Sequence, residues 1–163
     1  MQDTLTARVE LLAQRLMVAD LRVATAESCT GGGIAQALTS VAGSSDWFEY
    51  GIVSYSNASK QKLLGVSLAA LETAGAVSEA VVKDMAEGAI VHSNAQLAVS
   101  VSGIAGPDGG TPDKPVGCVW LAWAMAGQPT AASCFYFQGS RDAIRAQAVE
   151  AAIDGLLSLV DYA

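Results

Sequence analysis

A serine in a glycine-rich turn is the first residue of this sequence that could carry out a covalent reaction. Ser28 follows a predicted short strand that ends at Ala26, and three glycines then open a predicted helix. N–H groups at a helix N-terminus lack partners within the helix and carry partial positive charge. Because glycines let an anion approach the backbone closely, we expect Thr30, Gly31 and Gly32 to hold either the oxyanion of a serine reaction or a substrate phosphate. The alternative is an ordinary connection between a strand and a helix, and the lysine of a Walker phosphate-binding loop is absent.

A lysine near the start of another predicted helix could supply the base for such a serine. The segment YSNASK, residues 55–60, places Asn57 at the predicted N-cap and Lys60 in the first helical turn. The positive end of the helix dipole and partial burial would both lower the pKa of Lys60, and a neutral lysine can accept a proton. For a lone lysine, a solvated position on the surface is the alternative.

A third segment with ligand-binding character is SGIAGPDGG, residues 102–110. It leaves the end of a predicted buried strand, which is where α/β sheets place their ligands. Its glycines would let the backbone approach a ligand, although a flexible connection has the same composition. The candidate binding residues of this segment are Ser102, Gly103, Gly106, Gly109 and Gly110.

The last predicted helix carries two arginines on or beside its apolar face. On a helical wheel with about 100° per residue, Arg145 lies within the arc of apolar side chains and Arg141 lies at its edge. A buried arginine needs an anionic partner, which would be either a carboxylate or a ligand phosphate. Both arginines belong to the first two turns of the helix, where they could face the glycine-rich loops.

The histidine and cysteine content excludes several familiar mechanisms. A Ser-His-Asp triad needs a histidine, and the single one, His92, lies near a predicted helix end with no catalytic motif around it. One histidine and three scattered cysteines also argue against a zinc site. If Ser28 is the nucleophile, its base is therefore Lys60, with Tyr55 as a relay or orienting donor. Cys29 is the rival nucleophile, unless it is simply a small packed side chain.

The elements that must position these residues alternate between helices and strands. This alternation predicts one α/β layered domain over residues 1–163. The predicted helices cover 4–19, 33–40, 57–64, 68–73, 78–90 and 140–160, the last two capped by Ser78 and Ser140. The predicted strands cover 22–26, 48–56, 96–101, 116–126 and 130–138, with a loop over 103–115 and a hairpin formed by the last two strands.

Composition and charge limit the partners of the chain. Of its 163 residues, 52% are hydrophobic and 15% are charged, and the net charge is −7. Such a sequence can build a substantial core, and its acidic surface would repel a nucleic-acid backbone. No signal peptide is recognised, and the longest apolar stretch, Val116–Gly127, is too short to span a bilayer. Three cysteines without metal-ligand spacing indicate reduced thiols. We therefore expect a cytoplasmic protein with no membrane or nucleic-acid partner, and the apolar composition suits a homo-oligomer.

Seven short motifs in register resemble one known family. They are AESCTGG (26–32), GSS (43–45), YSNASK (55–60), LGV (64–66), GAVSE (75–79), SGIAGPDGG (102–110) and KPVG (114–117). Together they are similar to the CinA C-terminal domain family, the nicotinamide-nucleotide amidases, over roughly residues 5–158. Some members carry a further N-terminal domain, and this chain resembles the stand-alone form.

The resemblance implies a three-layer α/β/α sandwich with a mixed sheet. It also implies hydrolysis of nicotinamide mononucleotide to nicotinic acid mononucleotide and ammonia, in NAD salvage, without metal or cofactor. The family's serine, tyrosine and lysine match Ser28, Tyr55 and Lys60, and its substrate-binding loop and helix arginine match residues 102–110 and Arg145. Many relatives have threonine where this chain has Ser102, which keeps the hydroxyl.

Two other functions remain open at the level of sequence. One is a non-catalytic nucleotide-binding or regulatory module, and the other is a Ser-Lys amidase that acts on a different amide. The presence of Ser28, Tyr55 and Lys60 favours an enzyme over the module.

Overall fold

The computed structural model describes residues 2–161, and helices and strands alternate along them as the sequence predicts. The helices are α1 (Gln2–Ala19), α2 (Gly33–Thr39), α3 (Asn57–Leu64), α4 (Leu68–Ala74), α5 (Glu79–Val91) and α6 (Arg141–Val160). The strands are β1 (Val23–Glu27), β2 (Phe48–Val53), β3 (Leu97–Gly103), β4 (Cys118–Met125) and β5 (Ala131–Tyr136). One turn of 3₁₀ helix, Ser44–Asp46, precedes β2.

The five strands form one mixed sheet in the order β2-β1-β3-β4-β5. Strands β2, β1 and β3 run parallel, whereas β4 is antiparallel to both β3 and β5. The predicted hairpin of the last two strands is therefore confirmed. Because β1, β2 and β3 are parallel, the segments that follow them emerge at the same edge of the sheet. The strand order reverses at β1, and open α/β sheets bind ligands at such a reversal.

Two helical layers cover the sheet, which confirms the α/β/α sandwich. Helices α1, α2 and α6 pack on one face, against valines such as Val23, Val99 and Val101. Helices α3, α4 and α5 pack on the other face, where β1 and β3 present the small side chains of Ala24 and Ala98. Successive side chains of a strand point to opposite faces, so this alternation of valine and alanine gives each layer its own core.

The predicted cap of α3 is wrong by one residue. Ser56, not Asn57, is the N-cap: its backbone is extended, and its side chain accepts a hydrogen bond from the Ser59 N–H. Serine and asparagine are both good N-caps, so adjacent candidates are hard to separate from sequence. The predicted caps Ser78 and Ser140 are confirmed, since each accepts a hydrogen bond from the backbone of its helix.

Three predicted strand boundaries also differ from the structure. Strand β2 ends at Val53 rather than at residue 56, because the carbonyl groups of Ser54 and Tyr55 turn towards a lysine side chain. Strand β3 continues through Ser102 and Gly103, which pair with β4 instead of opening the loop. Strand β4 begins only at Cys118, after Gly117, whose φ of 95° is unfavourable for residues with a side chain.

Within residues 2–161, no helix is both long enough and apolar enough to cross a bilayer.

Candidate active site

Ser28 and Lys60 meet at the carboxyl edge of the parallel strands. Ser28 follows β1 directly, and its N–H donates to the Val101 carbonyl oxygen of β3 at 3.0 Å. The Lys60 Nζ lies 3.0 Å from the Ser28 Oγ, across a sequence separation of 32 residues. Ser28 is 7% exposed and Lys60 only 1% exposed. The structure thus places the predicted nucleophile and the predicted base in direct contact, shielded from solvent.

The conformation at the start of α3 explains how Lys60 reaches the serine. Side chains of a helix point back towards its N-terminus, so Lys60 extends over the segment that precedes α3. Its Nζ donates to the Ser54 carbonyl oxygen at 2.8 Å and to the Tyr55 carbonyl oxygen at 3.1 Å. Burial lowers the pKa of Lys60, an effect that the neighbouring Cys29 thiol partly offsets. The alternative of a solvated surface lysine is therefore wrong.

The rival nucleophile Cys29 is a buried thiol. Burial raises the pKa of Cys29 to about 11, and the nearby Glu27 carboxylate adds to the shift, while Arg145 opposes it. The reactive form of a cysteine is the thiolate. At neutral pH the Cys29 side chain is therefore protonated, which argues against Cys29 as a nucleophile.

The glycine turn is organised by a carboxylate that sequence reasoning missed. Glu27, at the end of β1, accepts hydrogen bonds from the Thr30 hydroxyl and from the N–H groups of Ile34 and Ala35. The signal that could have indicated this role of Glu27 is its position, since it is a charged residue between an apolar strand and the glycine-rich start of a helix. Glycine is needed at positions 31 and 32, where φ is 58° and 100°.

Not all of the predicted anion-binding amides are free. The Gly31 N–H donates to the Ser28 carbonyl oxygen at 3.0 Å, so an intramolecular bond already occupies it. The N–H groups of Thr30 and Gly32 have no acceptor among the described residues. Ile34 and Ala35 of α2 are bound to Glu27, so their N–H groups are also unavailable to a substrate anion.

Arg145 lies against the outer side of the same turn. It is half-buried, and it donates from Nε to the Cys29 carbonyl oxygen at 3.1 Å and from Nη2 to the Thr30 carbonyl oxygen at 3.2 Å. No carboxylate in residues 2–161 forms an ion pair with it. Of the two anionic partners predicted as alternatives, the carboxylate is therefore wrong, and the guanidinium contacts two backbone carbonyl oxygens. In a trans peptide the N–H points opposite to the C=O, so the Thr30 N–H points away from Arg145.

Arg141 and Tyr55 form a second contact between the loops. Arg141 donates from Nη1 to the Gly106 carbonyl oxygen at 2.7 Å and from Nη2 to the Tyr55 hydroxyl at 3.2 Å. The Tyr55 side chain is 58% exposed. Within the described part of the chain, its hydroxyl makes no hydrogen bond to Ser28 or Lys60, and only its backbone carbonyl contacts the lysine.

The predicted loop residues fall into two groups. Ser102 and Gly103 are the last residues of β3, where Ser102 is buried and Gly103 pairs with Val119. Gly109 and Gly110 lie in the loop that follows and are exposed. Lys114 anchors the far end of the loop, because its Nζ donates to the Ala74 carbonyl oxygen at the end of α4.

A groove of about 560 Å³ runs along the α1, α2 and α6 side of the turn. Its lining includes Thr30, Gly33 and Arg145, but neither Ser28 nor Lys60. The groove therefore adjoins the serine and lysine instead of containing them. No cluster of three His, Cys, Asp or Glu side chains that could hold a metal ion occurs in residues 2–161.

Known proteins share both this sequence and this fold. A nicotinamide-nucleotide amidohydrolase PncC of Pseudomonas putida is 52% identical over 157 residues, which cover 96% of this chain and 98% of that protein. The PncC of Escherichia coli K12 is 50% identical over 90% of this chain and 89% of that protein. The crystal structure of a CinA superfamily protein from Escherichia coli covers 96% of this chain and 91% of its own, with 39% identity and a TM-score of 0.92. The crystal structure of a competence/damage inducible protein from Agrobacterium tumefaciens has 43% identity and a TM-score of 0.87, and the match covers 93% of this chain and 95% of that chain.

The model of the CinA C-terminal domain matches residues 5–160, nearly the whole chain. Two relatives are also about half identical over 98% and 89% of their own lengths. The chain belongs to the CinA C-terminal domain family.

Proposed function

We propose that this protein hydrolyses the carboxamide of nicotinamide mononucleotide, releasing nicotinic acid mononucleotide and ammonia for NAD salvage. The contact between the buried Lys60 amine and the Ser28 hydroxyl, 3.0 Å apart, carries the proposal, because it is the arrangement that activates a serine without histidine. The choice of substrate rests on the relatives with about 50% sequence identity, which are named nicotinamide-nucleotide amidohydrolases.

Lys60 acts as the general base. A neutral amine has two N–H groups and one lone pair. The Ser54 and Tyr55 carbonyl oxygens accept both N–H groups, which leaves the lone pair for the Ser28 hydroxyl. Burial disfavours the charged ammonium and lowers the pKa of Lys60, so the neutral fraction of this amine is larger than that of a solvated lysine.

Ser28 attacks the carboxamide carbon as its proton passes to Lys60. The free N–H groups of Thr30 and Gly32 are the oxyanion donors, each worth roughly 2.7–4 kcal/mol by comparison with other enzymes. The protonated Lys60 then gives its proton to the amide nitrogen, and ammonia leaves as the C–N bond breaks. Water hydrolyses the resulting ester of Ser28, with Lys60 again taking and returning the proton.

The phosphate of the substrate binds beside Arg145 and Arg141, which lie about one helical turn apart at the start of α6. Arg145 uses Nε and Nη2 on backbone carbonyls, and its Nη1 is available for the phosphate. Arg141 and Tyr55 hold the loop after β3 beside them, so Tyr55 serves as an orienting residue rather than a proton relay. The Ile34 and Ala35 N–H groups at the start of α2 are bound to Glu27, and this supports the use of the remaining free turn amides for the oxyanion.

The decisive experiment measures ammonia release from nicotinamide mononucleotide by the wild type and two neighbouring variants. Ser28→Ala is expected to lose at least about 10³-fold in kcat, whereas Cys29→Ala retains activity because its thiol is protonated. The reverse pattern would sink the nucleophile assignment. A wild type that releases ammonia only from other amides would identify a different Ser-Lys amidase, and one that releases none from a panel of amides would indicate a non-catalytic module.

A further inference from the structure

Glu27 is a buried carboxylate that the proposed reaction does not use. It is 1% exposed, and within residues 2–161 no lysine or arginine forms an ion pair with it. Such a group needs hydrogen bonds to compensate for its lost hydration. Three donors supply them: the Thr30 Oγ1 at 2.5 Å, the Ile34 N–H at 2.9 Å and the Ala35 N–H at 3.0 Å. All three are donors, which is the pattern that an ionised carboxylate requires.

These bonds enclose the turn that carries the nucleophile. Glu27 immediately precedes Ser28, and its side chain reaches over the turn to Thr30 and to the first turn of α2. The backbone of Ser28 is thus held between a strand on one side and three side-chain hydrogen bonds on the other. A change in the carboxylate would move Ser28 and the Thr30 N–H together.

The backbone of Glu27 is connected to the lysine as well. The Ser54 N–H donates to the Glu27 carbonyl oxygen at 2.8 Å, and the Ser54 carbonyl oxygen accepts the Lys60 Nζ at 2.8 Å. Glu27 therefore contacts both the segment of the nucleophile and the segment that aligns the base.

We propose that Glu27 is a positioning residue for the amidase reaction, a role that rests on the proposed function. Its carboxylate fixes the turn so that the Ser28 Oγ faces the Lys60 amine and the Thr30 N–H stays free for the oxyanion. By occupying the Ile34 and Ala35 N–H groups, it also keeps a substrate anion from binding at the start of α2.

The test replaces Glu27 by an isosteric neutral residue and separates kcat from KM. Both carboxylate oxygens of Glu27 accept hydrogen bonds, so the amide N–H group of Glu27→Gln would face a hydrogen-bond donor. The turn must shift to relieve that clash of donors. We expect kcat for nicotinamide mononucleotide to fall about 100-fold, as a misplaced nucleophile would cause, while KM changes less than about twofold.

Two further variants keep the test decisive if Glu27→Gln folds poorly. Thr30→Val removes one of the three donors at nearly constant volume, and we expect kcat to fall about tenfold. Ser100→Ala is the matched control: Ser100 is also buried, on the neighbouring strand, and its hydroxyl donates to the Val82 carbonyl on the opposite face of the sheet. It is expected to lower the thermal midpoint without changing kcat. An equal loss of kcat in Ser100→Ala at equal loss of stability would show that Glu27 has no special role.

A second readout is independent of the identity of the substrate. A fluorophosphonate probe labels reactive serines, and mass spectrometry gives the rate of labelling at Ser28. We expect this rate to fall in Glu27→Gln and Thr30→Val as kcat falls. If the wild type is labelled but releases no ammonia from the mononucleotide, the proposed function is wrong, and slower labelling of Glu27→Gln still supports the positioning role. Folded variants that keep the wild-type kcat and labelling rate would overturn it.

Discussion

Lys60 is the residue that should set the pH dependence of ammonia release. Only its neutral form can take the Ser28 proton, and burial lowers its pKa from the ordinary value. We therefore expect kcat/KM to rise with pH and to level off at an apparent pKa below that of a solvated lysine. Lys60→Met should abolish the activity, whereas Lys62→Met, which removes an exposed lysine two residues along α3, should leave the profile unchanged. A kcat/KM that falls as the pH is raised towards the ordinary pKa of lysine would contradict a lysine base.

Arg145 has two tasks that different substrates can separate. It holds the Cys29 and Thr30 carbonyl oxygens, and it is proposed to bind the substrate phosphate. We expect Arg145→Ala to raise KM for the mononucleotide by about tenfold or more, with a much smaller effect on the riboside, which lacks the phosphate. Steady-state kinetics with both substrates measures the difference. The matched control is Arg15→Ala, which removes an arginine paired with Asp161 away from the turn. Equal losses on both substrates would mean that Arg145 only supports the turn.

Helix α3 depends on the close approach of α5 for its position. A Cβ at Gly88 would lie 1.9 Å from the Leu64 carbonyl oxygen at the end of α3, so the two helices would have to move apart. Gly88→Ala should therefore lower the free energy of unfolding by about 1–3 kcal/mol, despite the better helix propensity of alanine. Because α3 carries Lys60, ammonia release should fall as well. Denaturant unfolding checks the first effect, and Glu87→Ala, at an exposed neighbouring position, should change stability by no more than about 0.5 kcal/mol. A fully stable and active Gly88→Ala would show that this contact is not limiting.

The elements were largely predictable because their signals are local. Apolar periodicity and cap residues locate α1 and α6, and alternation of strands with helices gives the layered fold. The choice between Ser56 and Asn57 as N-cap was wrong, since both types form caps and only the backbone geometry separates them. The glycine and proline content of residues 103–115 predicts a loop from Gly103 onwards, yet both Ser102 and Gly103 pair with β4 and extend β3.

The site was predictable where chemistry excludes alternatives, and less so where it depends on tertiary contacts. The lack of a usable histidine pointed to Lys60, which lies against Ser28, and the helical wheel pointed to Arg145, which lies against the glycine turn. The partners of Arg145 are backbone carbonyls that no sequence pattern specifies. The sequence did not predict the role of Glu27, because it does not specify which donors a carboxylate at the end of a strand will contact.

At the scale of the whole molecule, the site joins four segments that are distant in sequence. The turns after β1, β2 and β3 and the first turns of α6 meet at one edge of the sheet. A ligand that touches all four would bind the native state and not the unfolded chain, so its binding free energy adds to stability. The net charge of −7 opposes the approach of an anionic mononucleotide, so the proposed binding mode depends on the local positive charge of Arg141 and Arg145.

This arrangement can be tested without turnover by using Ser28→Ala. Nicotinamide mononucleotide at about 100 times its Kd should add about 2.7 kcal/mol to the stability of this variant, which corresponds to a rise of about 5–10 °C in Tm for a domain of this size. Nicotinamide alone contacts neither arginine in the proposed binding mode, so the same concentration should raise Tm much less. Adding Arg145→Ala to Ser28→Ala should remove most of the rise caused by the mononucleotide. If nicotinamide alone raised Tm as much as the mononucleotide, the phosphate would contribute nothing, and the convergence of α6 on the glycine turn would serve the fold rather than the substrate.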